Sequence, residues 1–411
     1  MSSIRILYID LAPHPGGSVI SLSHLLRGLD KTQWQPMVIL SRQNDFDGFE
    51  RMGVPVKRAP TPQREKRPAG VVDQMRQGKA AAGIRSTPVL SQIWHWGGRL
   101  RHWHRNVLPV VRALTPVIRD FDPALIHLND SVALMQHGVL AARRTRVPAI
   151  VHGRAFVPTS ALDRRILAPG LKGMIFISQA VAQDQLQGIA KPPPFRIIPN
   201  AVDIAQFEQP VDRMAVRREL GVAPDAPLVG MIGRIISWKG QHIFIEAFAR
   251  LRQRYPQAMA ILVGDADTVQ GEQYGAALRE RTRALGLENH LLWLGHRRDI
   301  PQLLAVLDIL VHCSVKPEPF GRVLIEGMAA GAPVIASAAG GAVEIVEDGV
   351  TGLLTPPGDV AALTGAMSRL LEEEALRERL RKNGLQLVRQ RYDIPSHAAA
   401  VADFYRALLG Q

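Results

Sequence analysis

Cysteine is almost missing from this 411-residue chain, with Cys313 alone. No intrachain disulfide can form, and a reducing cytoplasm fits that. Cys313 ends the run Ile309-Leu310-Val311-His312. A buried strand-end thiol is expected there, because no motif supplies a nucleophile's partners. Long apolar stretches are missing too. No run reaches the ~18 uncharged residues that a membrane-spanning helix needs. The first residues, Met1-Ser2-Ser3-Ile4-Arg5, pass straight into the strand-like Ile6-Leu7-Tyr8-Ile9, with no cleavable signal pattern. No internal repeat recurs. The first strand-to-helix corner is Pro13-His14-Pro15-Gly16-Gly17-Ser18. It lacks the G-x-G-x-x-G of a dinucleotide site.

Acidic residues are scarce in one half only. Residues 1–200 hold 27 Lys and Arg against 12 Asp and Glu, a net +15, whereas residues 201–411 hold 23 against 25, a net −2. A basic half beside a neutral half points to an anionic partner for the first. On charge alone that partner is anionic lipid, a pyrophosphate-linked acceptor or nucleic acid. Residues 61–105 are rich in Pro, Gly, Arg and Lys and hold Trp94, Trp96 and Trp103 among arginines. Tryptophan at headgroup depth with arginine on anionic lipid suits a membrane interface. The alternatives are an insertion packed on its own domain, or stacking on nucleic acid.

What is present is alternation. Strand-like runs fall at 4–9, 37–40, 125–127, 149–151, 173–177, 195–198, 228–232, 258–263, 291–294, 309–312 and 334–336, with helix-like segments between them. The expected fold class is α/β, with parallel sheets in two doubly wound domains. The expected division is 1–203, with an insertion at about 61–112, then 204–390, then a terminal helix at 391–411.

The densest chemistry lies in Pro317-Glu318-Pro319-Phe320-Gly321-Arg322-Val323-Leu324-Ile325-Glu326. Pro319 and Gly321 mark a strand-to-helix corner. Glu318 should sit beside the helix N-terminus and Glu326 on the helix. Free N–H groups and the positive dipole end suit a phosphate, and carboxylates suit sugar hydroxyls. Upstream, Gly230-Met231-Ile232-Gly233-Arg234 ends a strand and Lys239-Gly240 follows. Arg and Lys there can clamp a diphosphate. Together these read as a nucleotide-sugar site.

The set resembles the retaining glycosyltransferases of family 4, which have the GT-B fold of two Rossmann-like domains. Besides those segments it includes Ile198 to Asp203, Gly295, Gly331-Ala332-Pro333-Val334, Gly340-Gly341 with Glu344, and Asp348 to Gly352. The resemblance implies transfer of a hexose-type sugar, with retention, from a UDP or GDP donor to a glycan or lipid-linked acceptor of a bacterial surface polysaccharide. It implies no metal and no cofactor, because Arg234 and Lys239 neutralise the leaving diphosphate; Asp265-Ala266-Asp267 reads as a turn. By the same resemblance, His152 and Glu318 meet the donor sugar and Glu326 the ribose. Gly16, Gly17, Gly233, Phe320, Gly321, Arg322 and Val323 approach the donor, and Gly295 and Arg297 lie near the base. His127, Asn129 and Arg154 are the implied acceptor contacts. Asn129 departs from the second His often found there. The last helix should cross back onto the first domain near Tyr392-Asp393. Location is expected in the cytoplasm, at the inner face of the membrane. The rival readings are transfer to a soluble acceptor, a catalytically dead binding subunit, and a nucleic-acid binder.

Overall fold

The computed structural model describes residues 3–60, 103–157 and 165–411. Two parallel sheets organise it. The first runs β3-β2-β1-β4-β5-β6-β7, from β1 (Ile4–Asp10), β2 (Trp34–Ser41), β3 (Val56–Ala59), β4 (Leu125–Leu128), β5 (Ala149–Gly153), β6 (Gly173–Phe176) and β7 (Phe195–Ile197). The second runs β10-β9-β8-β11-β12-β13, from β8 (Leu228–Ile232), β9 (Met259–Val263), β10 (Leu291–Gly295), β11 (Ile309–His312), β12 (Val334–Ser337) and β13 (Leu353–Thr355). The ladders are parallel. Runs such as Ile309-Leu310-Val311 are apolar without alternation because helices cover both faces.

All eleven expected strands form. The two that sequence reading missed, β3 and β13, are edge strands. β3 carries exposed Lys57 and Arg58, and β13 has three residues. Charge and shortness are how edges avoid pairing with other chains, and both erase the apolar signal.

Strand order reverses between β1 and β4 in one sheet and between β8 and β11 in the other. At such switch points the carboxyl ends of the strands open a crevice. Four helices matter to it: α1 (Gly17–Gly28), α2 (Gln179–Leu186), α3 (Arg322–Ala329) and α4 (Ile394–Leu409). Helix α4 begins with Asp393 capping Ser396 N–H at 2.8 Å and Pro395 in its first turn. It returns to the first sheet as expected. Ala398, Val401, Phe404 and Tyr405 share one apolar cluster with Ile6, Tyr8, Leu25 and Trp34. The return is fastened where Val202 N–H donates to the Tyr392 carbonyl at 2.8 Å.

Trp94, Trp96 and most of the insertion lie outside the described residues. Trp103 is half-buried and packs against the core of its own domain. Among the described residues no helix is long and apolar enough to cross a membrane.

Candidate functional site

Glu318 is the most constrained side chain at the second switch point. It sits in the loop between β11 and α3, with its side chain 10% exposed. Three donors converge on its Oε2. Lys239 Nζ lies at 2.6 Å, His312 Nε2 at 3.1 Å and Ser314 Oγ at 3.1 Å. Burial pushes the carboxyl pKa up, but the His312 hydrogen bond and the Lys239 charge outweigh it and hold the value at about 2. Sequence reading placed Lys239 and Glu318 on different parts of a ligand; the structure pairs them with each other. His312 and Ser314 were missed. Their signal was two polar residues at the carboxyl end of an apolar strand.

The loop's backbone is held as well. Gly341 N–H donates to the Glu318 carbonyl at 2.7 Å. Gly340 sits at φ +65°, and a Cβ there would stand 2.3 Å from the Glu318 carbonyl oxygen. Only glycine fits, which explains the Gly340-Gly341 corner. Gly321, at φ +102°, turns the chain into α3. The N–H groups of Arg322 and Val323, at the start of α3, have no acceptor four residues back in the helix. Arg322 donates to Glu326 Oε1 at 2.8 Å across one turn.

This loop faces the first sheet. Arg322 Nη1 lies 3.8 Å from the Cβ position of Gly17, so the Gly16-Gly17 corner opposes the start of α3. Ser178 Oγ donates to the Pro319 carbonyl at 2.7 Å. The Glu344 carboxylate accepts from Gln179 N–H and Ala180 N–H at 2.8 and 3.0 Å, capping α2 across the seam. Glu344 lies in the first turn of its own short helix, Ala342–Ile345, and its carboxylate also ties the two sheets together. Phe320, expected at the donor, is buried edge-on against Tyr392, with centroids 6.0 Å apart. A cavity of about 420 Å³ opens between α1 and α3, lined among others by His24, Arg27, Asp203, Arg322 and Glu326.

The expected acceptor contacts His127, Asn129 and Arg154 form, with His152, a polar cluster at the end of the first sheet. All four are buried. Arg154 donates to Asn129 Oδ1 and Asn200 Oδ1, both at 2.7 Å, and to His152 Nδ1 at 3.2 Å. Asn129 donates in turn to Asp10 at 2.7 Å. Guanidinium only donates, so His152 Nδ1 accepts and the ring proton sits on Nε2. His127 Nε2, 3.2 Å away, is then protonated, and its Nδ1 accepts from Tyr405 Oη at 2.5 Å. His152 Nε2–H is left buried without a partner among the described residues. Burial, then the Arg154 charge, holds both rings well below the ordinary histidine pKa. Burial likewise lowers Arg154 itself, to about 10.

The remaining expected residues stand further apart. Gly233 N–H donates to Val263 O, and Gly264 N–H to Gly295 O. Arg234 pairs with Asp267 at 2.8 Å, with side chains 61% and 47% exposed. Solvent leaves such a pair little net strength, so Arg234 can change partners. Arg297, expected near the base, is taken up by Asp299 at 2.5 Å and Glu219 at 2.9 Å. Among the described residues no group of three His, Cys, Asp or Glu could hold a metal ion. Cys313 is buried as expected, its thiol pushed up to about 12 by burial.

The chain matches the family model described as Glycosyltransferase Family 4 over residues 15–206 and the one described as Glycosyl transferases group 1 over residues 212–387. It is similar to the lipopolysaccharide core biosynthesis mannosyltransferase LpsB of Rhizobium meliloti, 29% identical over 218 residues, which are 53% of this chain and 62% of that protein. A D-inositol 3-phosphate glycosyltransferase of Actinosynnema mirum is 34% identical over 271 residues, 61% of this chain and 64% of that protein. The matches thus span less than two thirds of these relatives. The crystal structure of Anabaena Alr3699/HepE in complex with UDP-glucose aligns with a TM-score of 0.79 at 28% identity, over 98% of this chain and 100% of that one.

Proposed function

The chain belongs to glycosyltransferase family 4 and has the GT-B fold, and from that premise we propose that it moves a sugar from a nucleoside diphosphate to an acceptor hydroxyl in surface-glycan synthesis. The observation that carries this reading is the fixed Glu318 carboxylate beside the start of α3, opposite the Gly16-Gly17 corner. In this reading the diphosphate lies against the start of α3, where unpaired N–H groups and the dipole favour it. Arg234 and Lys239 meet the charge that grows on the leaving phosphate as the glycosidic bond breaks. Cations there stabilise the transition state more than the bound donor. They stand in for a metal ion. Glu318 takes hydroxyls of the sugar and Glu326 those of the ribose. His152 Nε2–H supplies a further donor once a sugar oxygen reaches it. Retention of configuration, with the leaving phosphate accepting the acceptor's proton, belongs to the same proposal.

The test is initial-rate transfer from UDP- and GDP-hexoses with EDTA present, with the product anomer read by NMR. Turnover with one donor, the anomeric configuration kept and EDTA without effect are expected. Failure of every donor with both lipid-linked and soluble acceptors would leave the binding-subunit reading ahead. Inversion would overturn retention alone.

The acceptor is proposed to be lipid-linked. The net +15 of residues 1–200 supports contact with an anionic membrane. Pelleting with vesicles rich in anionic lipid, lost at high salt, is the expected result. Protein that stays in the supernatant at low salt would favour the soluble-acceptor reading, which the inositol-phosphate relative also supports.

A further inference from the structure

We propose that His312 and Ser314 are positioning residues for the transfer reaction: they clamp Oε2 of Glu318, so that its other oxygen, Oε1, is the one presented to the donor sugar. The inference rests on the reading of Glu318 as a donor-sugar ligand.

Three observations carry it. First, the bonds that described side chains make to the carboxylate all fall on Oε2, from Lys239, His312 and Ser314. A carboxylate has about four lone-pair sites on two oxygens, and here one oxygen is crowded while the other is left over. Second, the clamp is built into the sheet. His312 is the last residue of β11 and Ser314 lies two further on; they are 4% and 1% exposed. Ser314 Oγ also stands 3.2 Å from His312 Nε2, so the two polar ends and Oε2 form a closed triangle. Third, His312 Nδ1 is buried with no partner among the described residues. With the ring proton on Nε2 that orphan is only a lone pair, and the proton points at the carboxylate. The opposite tautomer would bury an unpaired N–H and set the Nε2 lone pair against those of Oε2. The ring therefore acts as a fixed donor.

The clamp does two things. It stops the carboxylate rotating about its last bond, so the hydroxyl-binding oxygen waits in place. It also removes the need for Lys239 to hold Glu318 alone, which leaves the ammonium able to lean toward a phosphate while the carboxylate stays put. The backbone of the loop is already fixed by Gly341 and Ser178. The side-chain rotation is the freedom that remains for His312 and Ser314 to remove.

The experiment compares His312→Leu, His312→Gln, Ser314→Ala and Glu318→Gln in steady-state transfer across pH. Partners one step behind a ligand commonly contribute about 10–100-fold, and His312→Leu is expected to lower kcat by about that much, with donor KM moving less than about threefold. Its acid limb should move to higher pH, because the carboxylate loses a donor that favours its charged form. His312→Gln, which restores an N–H at similar reach, should recover most of kcat and return the limb. Ser314→Ala should show a smaller change of the same kind. A role in packing alone would lower stability without moving the limb and without rescue by Gln. Unchanged kcat and acid limb in His312→Leu, with Glu318→Gln inactive, would overturn the inference and leave the site reading intact. Should His312→Leu not fold, Ser314→Ala and His312→Gln decide the matter: a wild-type profile in the first and no limb shift in the second overturn the inference. Full activity in Glu318→Gln would instead remove the reading on which the inference stands.

Discussion

Glu318→Gln is expected to lower kcat by about 10²–10³-fold, the usual effect of removing one preorganised electrostatic contact to a transition state. The substitution is nearly isosteric, so the loss has one cause. Three donors meet at the Oε2 position. The amide must therefore place its oxygen there, and its NH2 group takes the place of Oε1. A strong acceptor of sugar hydroxyls becomes a donor, just where the ring acquires positive character as the glycosidic bond breaks. Stability should fall by about 1–3 kcal/mol, since Lys239 keeps its hydrogen bond but loses the opposite charge that it pairs with. Alanine at either position is a poorer probe. The pair is 17% and 10% exposed, and removing one member strands the other charge, at about 3–5 kcal/mol for buried pairs. The measurement is initial rate against donor concentration, beside a thermal melt. A kcat within tenfold of wild type, in folded protein, would deny Glu318 a role in the transition state.

How much of this was legible differs by layer. The eleven strong strands were, because a parallel strand covered on both faces must be apolar throughout, and Leu228 to Ile232 or Ile309 to Val311 have no other use. The helix after Glu318 was legible from Pro319 and Gly321. The edges β7 and β10 were legible as well, but β3 and β13 were not, since charge in one and shortness in the other erase the apolar signal. Pairing across the seam was not legible either. Glu344 reads as a first-turn residue of its own helix, and nothing local says that the N–H groups it meets belong to Gln179 and Ala180, 165 and 164 residues away. Lys239 with Glu318 is the same case at a separation of 79 residues.

The histidines mark a finer limit. The structure places His152, at the end of β5, beside His127 and Arg154. Position alone could not say whether the rings face a crevice or a buried cluster. That depends on α4, whose Tyr405 and His397 close over them from the far end of the chain. The cluster's composition fits a place where polar groups are kept for function rather than stability. An apolar core would hold the sheet end without an orphan N–H, whose burial costs about 1–3 kcal/mol.

That cluster dictates how the protein meets acid. His24, His127, His152 and His397 are all buried, and burial, with Arg322 acting on His24 and Arg154 on the other three, lowers each pKa, to about 4 for His24 and about 3 for His397. An unfolded histidine titrates near 6.5. Above that pH both states are neutral and these residues leave stability unchanged. Below it the unfolded chain takes up protons that the folded chain refuses, so stability falls with pH until the folded values are reached. Asp10 and Asp130 pull the other way. Burial raises both, Asp130 to about 7. Between the ordinary aspartate range and those raised values the folded chain holds the extra proton, and stability is gained as pH falls. The histidines outnumber the carboxyls, so unfolding takes up protons as the pH falls below about 6.5. Chemical denaturation should therefore find the protein less stable at pH 4.5 than at pH 6.5. His397→Asn keeps a donor for the Pro199 carbonyl, which His397 Nδ1 meets at 2.7 Å, and removes one titrating ring. Its slope should be shallower by about 1.4 kcal/mol per pH unit. A wild-type stability flat from pH 6.5 to 4.5 would mean that the rings are solvated, and that the crevice reaches them after all.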